Sequence, residues 1–361
     1  MPSRADSPKF HHALLEIQAR AEAVDQAGKW PTANLRALHD AGALAWSVPK
    51  KFGGLGMAPQ TLHRYYERLA AACLTTALIV TQRDGAIEFL AAADDNPHAQ
   101  KLLAAVALNQ RMVSVGISQV TTSGRYGATA VVARSAKGGF LIDGTIPWAT
   151  SAHGATELVA AADAGEGKKL VFILPCKAQG VRIGAAHQMA VLNASDTAAV
   201  ELKGVFIEAA NVLSGPSADA LKIRARRRRF TLNTCVLPLG VARGALELAQ
   251  TLIPNHSPVC RAAIKKLQAE HRDLAASVYR LGMGSGLIAT DPLAAGLRAS
   301  ANHLSMRCAL AALELAKGRG LQANHPAQRR VRESMFFFVW SSGNAVIEQT
   351  LAGLSAEPPL C

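Results

Sequence analysis

The stretch Phe140-Leu-Ile-Asp-Gly-Thr-Ile-Pro-Trp-Ala-Thr150 lies within Val113 to Leu213, the only long region whose sequence predicts a sheet. Short runs rich in Val, Ile and Phe alternate there with Gly, Asp and Asn turn signals. The number and spacing of these runs favour an antiparallel β-barrel or sandwich. Strands are expected at residues 113–119, 129–135, 140–143, 157–161, 170–174, 180–183 and 197–202.

Both flanks of this region predict helices. Before it, apolar residues near helical spacing indicate helices with a break at Trp30-Pro31. After it, long helices are expected at residues 218–253, 262–281, 292–316 and 327–351, and their short connections predict a four-helix bundle. The fold class is therefore α+β. Its expected domains are an N-terminal helical domain (1–111), a middle β domain (112–215) and a C-terminal helical bundle (216–361).

Length and composition describe a chain able to bury a substantial core. Half of its 361 residues are hydrophobic, and the length exceeds what one ordinary domain needs. The six cysteines are scattered, without a CxxC pair or a His/Cys cluster at metal spacing, so neither a metal site nor a disulfide framework is expected. The opening residues lack a signal-peptide pattern, and no apolar run reaches the roughly 18 residues of a membrane span. A cytoplasmic location without a membrane span is expected.

The charge balance favours anionic partners. The formal net charge is +13, and much of the excess lies in the run Arg224-Ala-Arg-Arg-Arg-Arg229. A solvated helix face or cross-subunit ion pairs explain such a run, and an anion site for a phosphate-bearing ligand or carrier is the alternative. Nucleic acid is not expected as a partner, because neither a recognised binding fold nor basic residues interleaved with aromatic ones is visible.

Two local features of the N-terminal region have alternative explanations. Val48 to Met57 carries three glycines within four positions and predicts a tight loop. A phosphate cradle is not favoured there, since no buried strand precedes it and no lysine stands at the required offset. The polar group Thr81-Gln-Arg-Asp84 interrupts an apolar helix. Surface exposure is the default explanation, and a helix packed against a ligand cleft, with Arg83 in the cleft, is the alternative.

Several motifs, and the order of predicted helices and strands, resemble those of the acyl-CoA dehydrogenase family of flavoproteins. The match spans nearly the whole chain. Pro49 to Gly56 resembles the family's P-E-x-Y-G-G-L-G loop, and Ser118 to Trp148 aligns without a gap to the block from T-E-P-x-A-G-S-D to W-I-T. Ser195-Asp-Thr197 resembles the close of the middle domain. Gly318 to Glu333 resembles the run G-G-x-G, H-P and R-x-x-R-D.

This resemblance implies FAD held by the middle domain and the bundle, an acyl thioester of coenzyme A or a carrier protein threaded between helices, and a homodimer or homotetramer. Physically, a flavin needs hydrogen-bond donors at its ring edge and an aromatic wall that keeps water away. Ser118 matches a Thr beside the ring, and Trp148 and Thr150 match the W-x-T that covers and bonds it. Ser151 is further assigned to the cofactor, and Gly124 and Arg83 are assigned to the substrate cleft.

The catalytic base shows the main departure from the family pattern. Family dehydrogenases abstract the α-proton with a glutamate on the last bundle helix or, in some members, on the first. The matching positions here are Ser341 and Phe230, and a serine is not a competent base unaided. Glu348, expected on the same helix face roughly 10 Å further along, is interpreted as an exposed carboxylate. His153 is the better placed titrating group, although an exposed loop histidine is the alternative.

The phosphate contacts depart as well. The family's R-K-T-F-G arginine would fall at His256, and the glutamine before G-G-x-G becomes Glu314, whose carboxylate repels a pyrophosphate. The acidic T-E-P-x-A-G-S-D motif is replaced by Ser118-Gln-Val-Thr-Thr-Ser-Gly-Arg125. Weak or absent FAD binding is therefore one expected consequence.

Three functions remain open from the sequence. The first is a flavin-dependent oxidoreductase acting on an acyl thioester, in accord with the whole-chain resemblance. The second is a reduced-flavin monooxygenase on the same fold, which needs no α-proton base and which Ser151, His153 and Ser341 would suit. The third is a non-catalytic, flavin-poor partner subunit or binding protein, as the loss of both base positions would suggest.

Overall fold

The N-terminal region is helical, as expected. The computed structural model describes residues 7–121, 131–227, 233–281 and 291–356, so Gly124 and Phe230 lie outside the described residues. Two of these helices start where a proline follows a capping side chain: the Ser7 hydroxyl accepts from the Phe10 amide, and the Asn96 side chain accepts from the Ala99 amide. The helices are α1 (Pro8–Ala27), α2 (Thr32–Asp40), α3 (Pro59–Ala72), α4 (Leu74–Ala92) and α5 (Pro97–Ala107).

The glycine loop between α2 and α3 is tight and internally bonded. Gly54 must be a glycine, because a Cβ there would lie 2.2 Å from the Val48 carbonyl oxygen. The amides of Leu55, Gly56 and Met57 each donate to a protein carbonyl at 2.8 Å. These amides are therefore already bonded within the loop, in accord with a structural turn.

The middle region is one mixed sheet of eight strands. Its order is β6-β7-β3-β2-β4-β5-β8, and β1 pairs with β4. The strands are β1 (Val113–Gly116), β2 (Val132–Ala136), β3 (Gly139–Ala149), β4 (Glu157–Asp163), β5 (Lys169–Pro175), β6 (Val181–Ala186), β7 (Ala198–Glu208) and β8 (Val212–Ser217). Most pairs are antiparallel, but β1 and β2 each pair parallel with β4. The sheet is therefore mixed, with antiparallel pairs predominating as expected and two parallel pairs at β4.

The C-terminal region consists of helices with two departures from the expected bounds. The helices are α6 (Asn233–Leu252), α7 (Pro258–Leu281), α8 (Pro292–Ala316), α9 (Pro326–Phe336) and α10 (Asn344–Ser355). The helix expected at 218–253 begins instead as a 3-10 segment, Ala220–Arg227, and α6 starts at residue 233. The helix expected at 327–351 is two helices, separated by a turn in which Ser341 has a φ of 52°. Glu348 therefore does not share a helix with Ser341, and the expected spacing along one face is wrong.

The basic run near residue 224 is only partly described. Arg224 donates from Nε to Glu88 at 3.0 Å and lies 5.0 Å above the Phe89 ring. This contact joins the 3-10 segment to α4 within the chain, so Arg224 is not simply a solvated residue. Arg228 and Arg229 lie outside the described residues.

A buried charge cluster joins α9 to the N-terminal helices. The Glu333 carboxylate accepts from Arg329 at 2.6 Å and from Arg330 at 2.9 Å, and all three side chains are buried. Arg329 also donates to Glu22 of α1 at 2.9 Å, and Arg330 to the carbonyls of residues 70 and 71 at the end of α3. Burial raises the pKa of Glu333, but the two guanidinium groups lower it further, so that it lies below the ordinary 4.5.

Replacing Glu333 tests this cluster. Because the folded pKa is depressed, the stabilisation is complete above the unfolded pKa and is lost as pH falls through the folded value. Glu333→Gln is expected to lower the free energy of unfolding at pH 7 by about 3–5 kcal/mol, since two buried cations lose their shared partner. Urea unfolding should show this deficit shrinking as pH falls below 4.5. The exposed Glu348→Gln is the control, and a pH-independent deficit for Glu333→Gln would contradict the assignment.

Candidate functional site at the end of β3

The C-terminal end of β3 exposes one polar and aromatic face. Side chains alternate along a strand, so Trp148 points outward while Ala149, the last residue of β3, is buried; Thr150 follows in the turn. Trp148 is 49% exposed, although large aromatic side chains are usually covered. Thr150 is half-buried beside it. The pair that the family resemblance assigns to the flavin therefore lies on a surface open to a partner.

His187 packs against Trp148. No role is assigned to it from the sequence. Its ring centroid lies 4.4 Å from that of the indole, with the planes at 50°. Nε2 lies 2.9 Å from the Pro147 carbonyl oxygen, which can only accept, so Nε2 is the donor of this hydrogen bond. His187 follows the end of β6, and only the pairing of β6 with β7 and of β7 with β3 brings it here. No local sequence signal predicts that pairing.

A row of hydroxyl groups continues from Thr150. Its Oγ1 lies 3.2 Å from Oγ1 of Thr197, which lies 2.8 Å from Oγ of Ser195. Ser195 and Thr197 are buried. Thr150 is thereby oriented from behind by the segment that precedes β7.

Asp196 braces the loop that follows β3. It adopts a left-handed conformation with a φ of 54°, and its carboxylate accepts from the amides of His153 at 2.8 Å and Gly154 at 3.1 Å. The same carboxylate lies 2.7 Å from Nδ1 of His153. Trp30 packs directly over Gly154, where a Cβ would lie 2.9 Å from its ring. His153 is thus held with Nδ1 toward the carboxylate, which leaves Nε2 for another partner.

Two buried hydroxyl oxygens in this area have no partner among the described residues. They belong to Ser118, in the 3-10 turn that packs against β3, and to Ser151, the residue after Thr150. An unpaired buried hydroxyl costs about 1–3 kcal/mol, so a bound group or water is the usual explanation. These oxygens and the open Trp148 face fit the polar edge and flat ring of a flavin.

Ser341 lies in the turn that follows α9. It is exposed, and no hydrogen bond or ion pair of the described residues joins it to the β3 end. The turn is instead fixed from the bundle, where Trp340 stacks on Phe336 with ring centroids 5.4 Å apart. The position that matches the family base is therefore presented by an ordered turn and carries a hydroxyl.

Arg83 is engaged by protein groups. It is 2% exposed, and its guanidinium donates to Asp84 at 2.9 Å and to the Val106 carbonyl at 3.3 Å. Asp84 also accepts from Ser47 at 2.8 Å and Tyr66 at 2.6 Å. The default expectation of surface exposure for Arg83 and Asp84 is wrong, because these contacts satisfy both charges inside the N-terminal region. The substrate-cleft role of Arg83 stays a prediction.

The two positions that match the family's phosphate contacts are neighbours. Nε2 of His256 lies 3.1 Å from the Leu315 carbonyl, next to the exposed Glu314. Arg261 of α7 donates to the His256 carbonyl at 2.5 Å. Arg261, whose guanidinium binds the backbone of this segment, was not among the residues expected from the sequence.

Other features of the described residues lie away from the β3 end. A cleft of about 740 Å³ between α3, α6 and α7 is lined by Glu67, Arg243, His271 and Tyr279 among others. Burial raises the pKa of Glu67 there. Across the described ranges, no group of three His, Cys, Asp or Glu residues suits a metal ion. No helix in those ranges is both long and apolar enough to cross a membrane.

Comparison with known proteins accords with this fold. Residues 13–128 match the family described as acyl-CoA dehydrogenase, N-terminal domain. A probable acyl-CoA dehydrogenase of Bacillus subtilis, YngJ, is 24% identical over 65% of this chain and 63% of its own length. The benzylmalonyl-CoA dehydrogenase of Aromatoleum aromaticum is 23% identical over 93% of both chains.

Two solved structures extend the comparison. The glutaryl-coenzyme A dehydrogenase in complex with glutaryl-CoA covers 96% of this chain and 94% of its own, with a TM-score of 0.80 and 14% identity. The FMN-bound dibenzothiophene monooxygenase TdsC from Paenibacillus sp. A11-2 covers 95% of both chains, with a TM-score of 0.80 and 16% identity. The chain therefore has the acyl-CoA dehydrogenase-like fold. The sequence matches likewise make the chain similar to acyl-CoA dehydrogenases.

Substitution at Asp196 tests the bracing of the β3 end. Asp196→Ala removes three hydrogen bonds and places an alanine in the left-handed region, so a loss of about 2–4 kcal/mol is expected. Asp196→Asn should lose clearly less, since asparagine tolerates this conformation and still accepts from the two amides. Chemical unfolding measures both variants, with the exposed Asp219→Ala as the control. A loss for Asp196→Ala no larger than that of the control would show that this side chain does not brace the loop.

Proposed function

We propose that the chain is a flavin-dependent oxidoreductase whose flavin ring lies against the β3 end. The observation that carries this proposal is the half-exposed Trp148 and Thr150 face next to the unpartnered buried hydroxyls of Ser118 and Ser151. A bound flavin would supply electron transfer, and the protein supplies its binding, orientation and exclusion of water. The resemblance to acyl-CoA dehydrogenases implies FAD, which is the proposed cofactor here, and the TdsC structure of similar fold contains FMN.

Each residue of the face has a definite task in this proposal. Trp148 covers the ring and excludes water, while the hydroxyl of Thr150, oriented by Thr197, bonds the ring edge. Ser118 and Ser151 supply further hydrogen bonds from buried positions. His153, braced by Asp196, can hold a proton at Nε2.

The proposed substrate class is an acyl thioester of coenzyme A or a carrier protein. Relatives that match over most of this chain carry acyl-CoA or a specific coenzyme A ester in their names. The net charge of +13 favours such anionic substrates. A homodimer or homotetramer and a cytoplasmic location complete the proposal, by resemblance to the family.

A reduced-flavin monooxygenase is the second candidate, and the residue at position 341 favours it. The turn presents Ser341, so no carboxylate there abstracts an α-proton. Oxygen insertion does not need that base, and the oriented imidazole of His153 can serve proton transfer instead. The TdsC monooxygenase shares the fold over 95% of both chains.

The visible spectrum of the reconstituted protein tests flavin binding. After incubation with FAD or FMN and desalting, we expect flavin absorption to stay with the protein. Trp148→Ala should weaken binding by about tenfold, because ring stacking contributes on the order of 1 kcal/mol or more. Phe206→Ala, at a 45% exposed aromatic on β7, is the matched control. Absence of flavin from the reconstituted wild type would overturn both enzyme functions and favour the non-catalytic subunit.

Restoring a carboxylate at position 341 tests the substrate class. In the absence of oxygen, an acyl thioester should bleach the flavin of Ser341→Glu faster than that of Ser341→Gln by about 100-fold, the usual effect of a positioned base. Ser341→Gln controls for side-chain size. Equal rates in the two variants would contradict thioester dehydrogenation at this turn. Substrate-dependent oxygen uptake by the wild type, supplied with reduced flavin, would support the second candidate.

A further inference from the structure

Arg298 of α8 is a buried cation that bonds the turn carrying Ser341. It is 2% exposed, and its Nη2 lies 3.2 Å from the carbonyl oxygens of both Phe337 and Trp340. Nδ2 of Asn302, one helical turn further along α8, donates to the Phe337 carbonyl at 3.0 Å. Two side chains of α8 therefore hold the backbone of the segment that follows α9.

No carboxylate of the described residues pairs with this guanidinium. Its Nε and Nη1 have no hydrogen-bond partner there, and burial lowers the pKa of Arg298 to about 10. The rings of Phe337 and Trp340 lie 5.6 and 5.3 Å from Cζ, so aromatic faces supply part of the compensation. A buried charge without a carboxylate opposes folding, which makes pure packing a poor explanation for an arginine at this position.

The end of α9 explains what the cation does. The last carbonyls of a helix lack intrahelical partners and carry partial negative charge. Here the chain leaves α9 at Phe336 and passes through four turn residues before Ser341 adopts its left-handed conformation. The sequence between 327 and 340 contains neither glycine nor proline, so no local residue type ends the helix. The donors that stabilise the turn come from α8.

We infer that Arg298 is the positioning residue of residues 337–341 and determines where the side chain at 341 is presented to the reaction. The role in the reaction rests on the proposed function, whereas the stabilisation of the turn by Arg298 is independent of it. Arg298 touches neither substrate nor cofactor in this inference. It acts through the carbonyls of Phe337 and Trp340, with Asn302 as the supporting donor.

Hydrogen exchange of the full-length protein, followed by mass spectrometry, tests the hold on the turn without any flavin. The amides of Phe338, Val339 and Trp340 are bonded to carbonyls of residues 335 and 336. Arg298→Met keeps the length of the side chain and removes its donors, so these amides should exchange at least about tenfold faster. Arg298→Lys should restore part of the protection, and Arg280→Met, at an exposed arginine of α7, should match the wild type.

Two results would overturn the inference: unchanged exchange at 337–341 in Arg298→Met, or an increase spread evenly over α8, α9 and α10. If Arg298→Met does not fold, Arg298→Lys and Asn302→Leu decide, since each should raise exchange in this turn more than elsewhere.

The functional link is measured in the Ser341→Glu background, where adding Arg298→Met should cut the thioester bleaching rate by about tenfold or more while flavin affinity stays unchanged. An unchanged rate there would overturn the link. Loss of flavin binding by the wild type would instead defeat the proposed function and leave the exchange result standing.

Discussion

The buried contact between Glu333 and the two arginines beside it fixes α9 in place, and the remaining structure depends on that placement. Through Arg329 the cluster reaches Glu22 of α1, and through Arg330 it reaches the end of α3. Arg332, on the same helix, bonds Asp25 and the Ala190 carbonyl of the middle region. One helix thus ties the three parts of the chain together, and the turn that presents Ser341 begins at its end.

The β3 end is organised by a second, independent set of contacts. Asp196 holds the loop after β3, Thr197 orients Thr150, and His187 supports Trp148. All three supports belong to the segment between β6 and the start of β7, so the long pairing of β7 with β3 places both halves of the face. The wall proposed for the flavin and the turn that carries position 341 are therefore built by different elements. A change at one can leave the other intact, which accords with a chain whose Trp148 and Thr150 match the family motif while position 341 carries a serine.

Much of the fold follows from local sequence, and the failures have physical causes. Period-two runs predicted most strands, but Gly215 and Pro216 concealed β8, and no local signal shows that β1 pairs parallel with β4. The break before Ser341 was missed because its donors, Arg298 and Asn302, lie on another helix. Trp148 and Thr150 were assigned to the cofactor through the family resemblance and stay predictions, whereas the contact of His187 with Trp148 arises only through strand pairing.

The central claim is that Trp148 faces a flavin, and the indole resonances of the four tryptophans test it most directly. In ¹H–¹⁵N spectra, with the Trp148→Phe variant assigning its signal, addition of FAD or FMN should shift or broaden the Trp148 resonance. The buried Trp46 should stay in place. A saturating flavin titration that leaves the Trp148 resonance unmoved would contradict the account.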